Sequence, residues 1–136
     1  MKAVVRVLDS YSLLAYIEGE AGAEKMIEIF RVARDSWRDL LLSVVNWGEV
    51  YYITMREAGR ERADEVAQLV TTLPIQIVPA DLDLTRQAAA FKSKYKMSYA
   101  DCFAVALARQ RKVELVTGDK EFRQVEGHVK ILWLKK

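Results

Sequence analysis

Short β-branched and aliphatic runs recur along the whole chain, and between them apolar residues return at helical spacing. AVVRVL (residues 3–8), LLLSVV (40–45), IQIV (75–78), VELVT (113–117) and VKILWL (129–134) read as strands. Near-continuous apolar runs of this length suit strands buried on both faces. After the first strand, Ser10 and Tyr11 turn the chain into a short helix, SLLAYIEGE, broken by Gly19 and Gly22. Ala23, Met26, Ile27, Phe30 and Ala33 mark a second helix, and Ala63, Val66, Ala67, Val70 and Leu73 a further amphipathic one. Asn46 is expected to cap a helix running to Ala58, residues 82–95 are helical, and Ser98 opens the Ala-rich helix YADCFAVALARQRK. This alternation predicts an α/β three-layer sandwich, a central five-stranded parallel sheet flanked by helices. No repeat, linker or low-complexity tract divides residues 1–136, so a single domain is expected.

Several function classes fall away on composition. The only histidine is His128, which excludes a metal-free nuclease using two histidines as acid and base. The only cysteine is Cys102, so neither an internal disulfide nor a cysteine-built metal site can form, which suits a reducing cytosol. Beside Asp101 it is expected to be a buried packing residue. MKAVVRVLDS is too short and too early charged for a signal peptide, and no apolar run approaches a membrane span. A cytoplasmic protein with no membrane contact is expected. A net charge of +2 is too mild to indicate nucleic acid by itself.

The predicted topology gathers four acids. In an open α/β sheet, sites form beyond the carboxyl ends of the strands. Asp9 closes the first strand, Glu49 lies in the first turn after the second, Asp101 lies in the first turn of the Ser98 helix, and Asp119 follows VELVT. Two carboxylates about 4 Å apart repel by about 4 kcal/mol at an effective dielectric of 20. Protons or a cation must offset that repulsion. All-oxygen ligands select Mg²⁺ or Mn²⁺, and such an ion can hold a phosphodiester and activate water. Each acid also has an ordinary structural role open to it. Asn46-Trp-Gly-Glu49 and Ser98-Tyr-Ala-Asp101 match the capping box, and Asp9 and Asp119 each stand where a helix cap would.

The segments VVRVLDSYSLLAYI, LLSVVNWGEVYY and MSYADCFAVALARQRKVELVTGDKEF, in this order and spacing, resemble the PIN-domain family. Within it the likeness is to the VapC-type toxins of prokaryotic toxin–antitoxin pairs, over almost the full length. The resemblance implies Mg²⁺- or Mn²⁺-dependent RNA cleavage. Asp9, Glu49, Asp101 and Asp119 fall on the family's acidic positions, and Ser10 and Thr117 where small hydroxyl residues support them. Glu121 is a candidate outer acid, against the plainer reading of a solvated surface side chain. Asp9, Asp101 and Asp119 would hold the metal. Glu49 would bind a second ion or orient the attacking water, leaving a 5′-phosphate and a 3′-hydroxyl. A cognate antitoxin covering the acidic cleft, and a homodimer, are further implications.

An RNA substrate needs cations along its path. Lys92, Lys94 and Lys96, with Tyr95 among them, and Arg56, Arg60 and Arg62 are the candidates, against the plainer reading of solvated helix faces. Trp47, Tyr51 and Tyr52 are read as core or interface. Three rivals stay open: a receiver-like phosphoryl-transfer protein, a non-catalytic PIN-like binding module, and a PIN-type nuclease of RNA processing or structured DNA. Against the first, the chain has no adjacent acid pair near the first strand and no Gly-rich phosphate loop.

Overall fold

The computed structural model describes residues 5–135. The elements run β1 (Arg6–Leu8), α1 (Ser10–Glu18), α2 (Ala23–Asp35), β2 (Leu40–Ser43), α3 (Val44–Ala58), α4 (Arg60–Thr71), β3 (Ile75–Val78), α5 (Leu82–Lys94), α6 (Tyr99–Arg111), β4 (Glu114–Thr117), a 3₁₀ helix (Lys120–Val125) and β5 (Ile131–Trp133). The strands form one sheet in the order β3-β2-β1-β4-β5, every pair parallel. The predicted five-stranded α/β fold is therefore the one observed. Residues 3 and 4 of the first predicted run lie outside the described residues.

Side chains alternate across each strand, and the two faces build two apolar layers. Val7, Leu41 and Leu115 point into a layer with Phe103, Leu107, Phe91 and Phe122. Leu8, Leu40, Leu42 and Val116 point into the other, against Leu13, Met26, Phe30, Val66 and Val70. The Ala-rich helix fits the first layer closely: Cys102 through Ala108 are all buried on α6. Small side chains there let the helix lie close to the sheet. Truncating a buried leucine such as Leu8 is expected to destabilise by about 2–5 kcal/mol.

The chain winds outward from β1 to β2 and β3, then crosses to β4 on the other side of β1. β1 and β4 are thus neighbours whose connections leave in opposite directions. This is the topological switch point at which an open sheet leaves a crevice beyond its strand ends. Asp9 ends β1 there, and Gly118 and Asp119 follow β4.

The structure corrects the second strand–helix junction. The sequence predicts a strand through Val45, with Asn46 as helix cap. The strand stops instead at Ser43, whose Oγ accepts from the Val45 N–H at 3.1 Å and caps α3. A serine directly before the helix outcompetes an asparagine three residues on, because capping needs extended backbone at the cap. Asn46 is therefore inside α3 and fully buried, and Glu49 stands in the second turn rather than the first. β3 is the strand predicted at residues 75–78; it is a sheet edge, and Ile77 is exposed.

Candidate active site

Asp9 is the most enclosed of the four acids, at 1% exposure. It caps α1: its Oδ1 accepts from the Ser12 N–H at 2.8 Å, and its own N–H donates to Ser12 Oγ at 3.2 Å, a reciprocal capping box. Its Oδ2 accepts from the Thr117 hydroxyl at 2.5 Å. Burial, with a smaller push from the charge of Asp101, raises its carboxyl to about 7 despite these bonds. The cap reading is therefore true of this side chain, and it also feels the charge of Asp101.

Asp101 stands at the third position of α6, where its N–H donates to the Oγ of the cap Ser98 at 3.1 Å. Its carboxyl is also pushed up to about 7, first by burial, then by the charges of Asp119 and Glu49. Asp119 begins the 3₁₀ helix and accepts from the Glu121 N–H at 3.0 Å. Its own N–H donates to Thr117 Oγ1 at 3.0 Å. Thr117, fully buried at the end of β4, thus holds Asp9 with its proton and Asp119 with its lone pair. Glu49 is half-buried on α3. Electrostatic coupling links Asp9 to Asp101, and Asp101 to both Asp119 and Glu49. Four acids from four segments are thus linked through their charges.

Two supports are not legible in the sequence. Asn46 Nδ2 donates to Ser10 Oγ and to the Ala100 carbonyl, both at 3.1 Å, while Ser10 Oγ donates to the Asn46 carbonyl at 3.3 Å. Tyr11 lies over Gly118 so closely that a Cβ at residue 118 would overlap its ring. A glycine ahead of the fourth acid is the available signal for the second.

The remaining candidates scatter. Glu121 is exposed, and its carboxylate takes an N–H of Gln124 at 3.2 Å. Lys92 donates to the Met97 carbonyl at 2.8 Å, so this ammonium braces the turn ahead of Ser98. Lys94 and Lys96 are exposed. The Arg56 guanidinium lies 5.0 Å from the centroid of the Tyr52 ring. Trp47 stacks on Tyr51 at 5.2 Å and packs against the core, and Tyr51 donates to Asp64 at 2.6 Å. Cys102 is buried, as expected.

No salt bridge among the described residues involves any of the four acids. The ammonium of Lys135, near Asp119, lies 5.0 Å from the centroid of the Tyr11 ring. For a divalent cation the donor set fits in chemistry: hard carboxylate oxygens and no soft ligand. In geometry, no group of three or more His, Cys, Asp or Glu among the described residues stands around one point ready to hold an ion. Mg²⁺ asks for less than that. It keeps several waters and takes one or two carboxylates, with substrate phosphate oxygens completing its shell.

A parallel α/β sheet with Asp9 and Asp101, both raised by burial and neighbouring charge, near the switch point defines an acid-site α/β protein. The PIN domain family matches residues 6–128, and the chain belongs to that family. Among solved structures it is similar to VapC20 of Mycobacterium tuberculosis, described as a sarcin-ricin loop cleaving toxin. That likeness has 18% identity over 92% of this chain and 97% of that one, with a TM-score of 0.71. It is similar to VapBC2 of Rickettsia felis bound to promoter DNA, at 10% identity over 95% and 98% and a TM-score of 0.77. It is also similar to DNA-bound VapBC of Salmonella typhimurium, at 16% identity over 96% and 98% and a TM-score of 0.72. At such identities the shared feature is the fold. No curated protein matches the chain.

Proposed function

We propose that this chain is a divalent-metal-dependent endoribonuclease, the toxin of a type II toxin–antitoxin pair. One observation carries the reading. Asp9 is pushed up to about 7 by burial and the charge of Asp101, and Asp101 to about 7 by burial and the charges of Asp119 and Glu49, where no described salt bridge relieves any of the four acids. Perturbed carboxylates grouped in a crevice are characteristic of catalytic sites. Protons or a cation can neutralise such a group, and a hard divalent ion matches the oxygens.

Asp9, Asp101 and Asp119 would hold Mg²⁺ or Mn²⁺, which supplies charge neutralisation and a Lewis acid for phosphodiester hydrolysis. The chain's own groups do the positioning. Thr117 and the Ser12 N–H lock both oxygens of Asp9, so its carboxylate cannot swing away from the rim. Ser98 fixes the helix start that carries Asp101. Glu49, half-buried and less confined, is suited to orient the attacking water. In-line attack leaves a 5′-phosphate and a 3′-hydroxyl. Ser10 acts through Asn46, while Glu121 has the bearing of an exposed acid tied to Gln124. Lys94, Lys96 and Arg56 are the cations proposed first to meet RNA, ahead of Lys92, one of whose N–H groups already holds the Met97 carbonyl.

The partner proposed is a cognate antitoxin, in keeping with a neighbour described as a toxin–antitoxin complex from Klebsiella pneumoniae. A homodimer and a cytoplasmic location belong to the same reading; no helix among the described residues is long and apolar enough to cross a membrane. The test is RNA cleavage by purified protein with Mg²⁺ or Mn²⁺, repeated with EDTA and with Asp101→Asn. Metal-dependent cleavage giving 5′-phosphates, lost in the variant, supports the proposal; EDTA-resistant cleavage contradicts it.

One observation favours a second reading, a non-catalytic PIN-like module: no three described ligands close around one point. That reading expects no Mn²⁺ uptake in titration calorimetry.

A further inference from the structure

Asn46 is buried at 0% exposure inside α3, three residues before Glu49, where sequence reasoning expects only a helix cap. Residues three apart share a helix face. Its amide nitrogen spends both protons. One goes to Ser10 Oγ, the residue directly after Asp9, and the other to the carbonyl of Ala100, directly before Asp101. Ser10 answers by donating to the Asn46 main-chain carbonyl. The Ala100 carbonyl can only accept, so the amide nitrogen must face it and the orientation of the side chain is fixed. Asn46 Oδ1 is left buried without a donor among the described residues. Keeping an unpaired polar atom inside costs stability. A residue tolerated there on those terms does something an apolar side chain of similar size would not.

We infer that Asn46 is the positioning residue of the metal site: its amide sets the spacing of the Asp9, Glu49 and Asp101 elements. Those three segments come from residues far apart in the chain, and this one side chain, itself on the Glu49 helix, hydrogen-bonds the flank of each of the other two. Support of this kind beside metal ligands is expected to matter by about ten- to a hundredfold in affinity or rate. The inference rests on the proposed metal site and adds to it a residue outside the four acids.

The test compares wild type, Asn46→Val and Ser10→Ala, reading Mn²⁺ affinity by titration calorimetry, kcat and KM on RNA, and fold by circular dichroism. The Asn46→Val protein is expected to fold, to bind Mn²⁺ at least about tenfold more weakly and to lose kcat by about ten- to a hundredfold. KM for RNA is expected to stay within about twofold, because uniform binding is untouched. Ser10→Ala is expected to shift Mn²⁺ affinity in the same direction by less. A folded Asn46→Val protein with wild-type Mn²⁺ affinity overturns the inference. Should that variant fail to fold, Ser10→Ala decides, and wild-type Mn²⁺ affinity there overturns it. Wild type that binds Mn²⁺ without cutting RNA contradicts the nuclease reading alone, and the brace is still read from affinity. Wild type that binds no Mn²⁺ overturns both.

Discussion

The hydroxyl of Thr117 donates to Oδ2 of Asp9 at 2.5 Å, joining the ends of two neighbouring parallel strands. The same hydroxyl oxygen accepts from the N–H of Asp119. One buried side chain therefore sets the distance between the acid closing β1 and the acid following β4. Thr117→Val keeps the shape and removes the hydroxyl, leaving a buried carboxylate oxygen and the Asp119 N–H without partners. The expected loss is about 1–3 kcal/mol in denaturant unfolding, with a further fall in RNA cleavage. Thr117→Ser should restore most of both. Equal stability of the valine variant and wild type would show the bond to be dispensable.

The raised carboxyls give a pH dependence of defined sign. Asp9 and Asp101 titrate near 7 in the folded chain, above the ordinary carboxylate value of 3.8. Between those limits the folded state binds more protons than the unfolded one, so stability falls as pH rises. The surface acid Glu18, pushed up to about 7 by a hydrogen bond with Glu20, acts in the same direction. Metal-free protein is therefore expected to melt lower at about pH 8.5 than at about pH 5. Asp101→Asn should narrow the gap without closing it. A melting temperature that rises over this interval would contradict the assignment.

Gly118 is required by a neighbour rather than by a turn. The Tyr11 ring fills the place a Cβ would take, so Gly118→Ala must push the ring or the Asp119 turn aside. Overpacking of this kind costs about 1–3 kcal/mol, read by thermal or denaturant unfolding. Adding Tyr11→Ala should recover part of the loss. Strict additivity of the two changes would mean that the close approach carries no strain.

The lysines before Asp101 should separate by role. Replacing Lys94 and Lys96 with alanine should flatten the salt dependence of RNA affinity. On a single strand the log–log slope should fall by about 0.7 for each phosphate left unneutralised. Lys92→Ala should instead lower stability, because its ammonium holds the Met97 carbonyl. An unchanged slope in the double variant would remove both lysines from the RNA path.

Much of this is written in the chain. The apolar runs ending in Asp9 and Thr117 announce parallel strands, and Ser98 three residues before Asp101 announces the start of α6. The Ala-rich stretch announces a helix pressed onto a sheet. Asn46 misleads because capping is a local contest: Ser43, adjacent to the valines, wins it, and the loser's burial depends on Ser10 and Ala100, which local spacing cannot reveal. The bond from Lys92 to the Met97 carbonyl is hidden for a related reason, since a charge in a cluster looks free until the turn it holds is known. The exposure of β3 depends on strand order, which the runs alone leave open.

The most direct measurement is titration calorimetry of Mn²⁺ into metal-free wild type, Asp9→Asn and Asp101→Asn, near neutral pH in buffers of different ionisation enthalpy. Wild type should take up the ion and release protons, because groups titrating near 7 must give them up to bind it. Both variants should bind far more weakly. Binding without proton release, or undiminished in either asparagine variant, would contradict an acid cluster completed by a divalent ion.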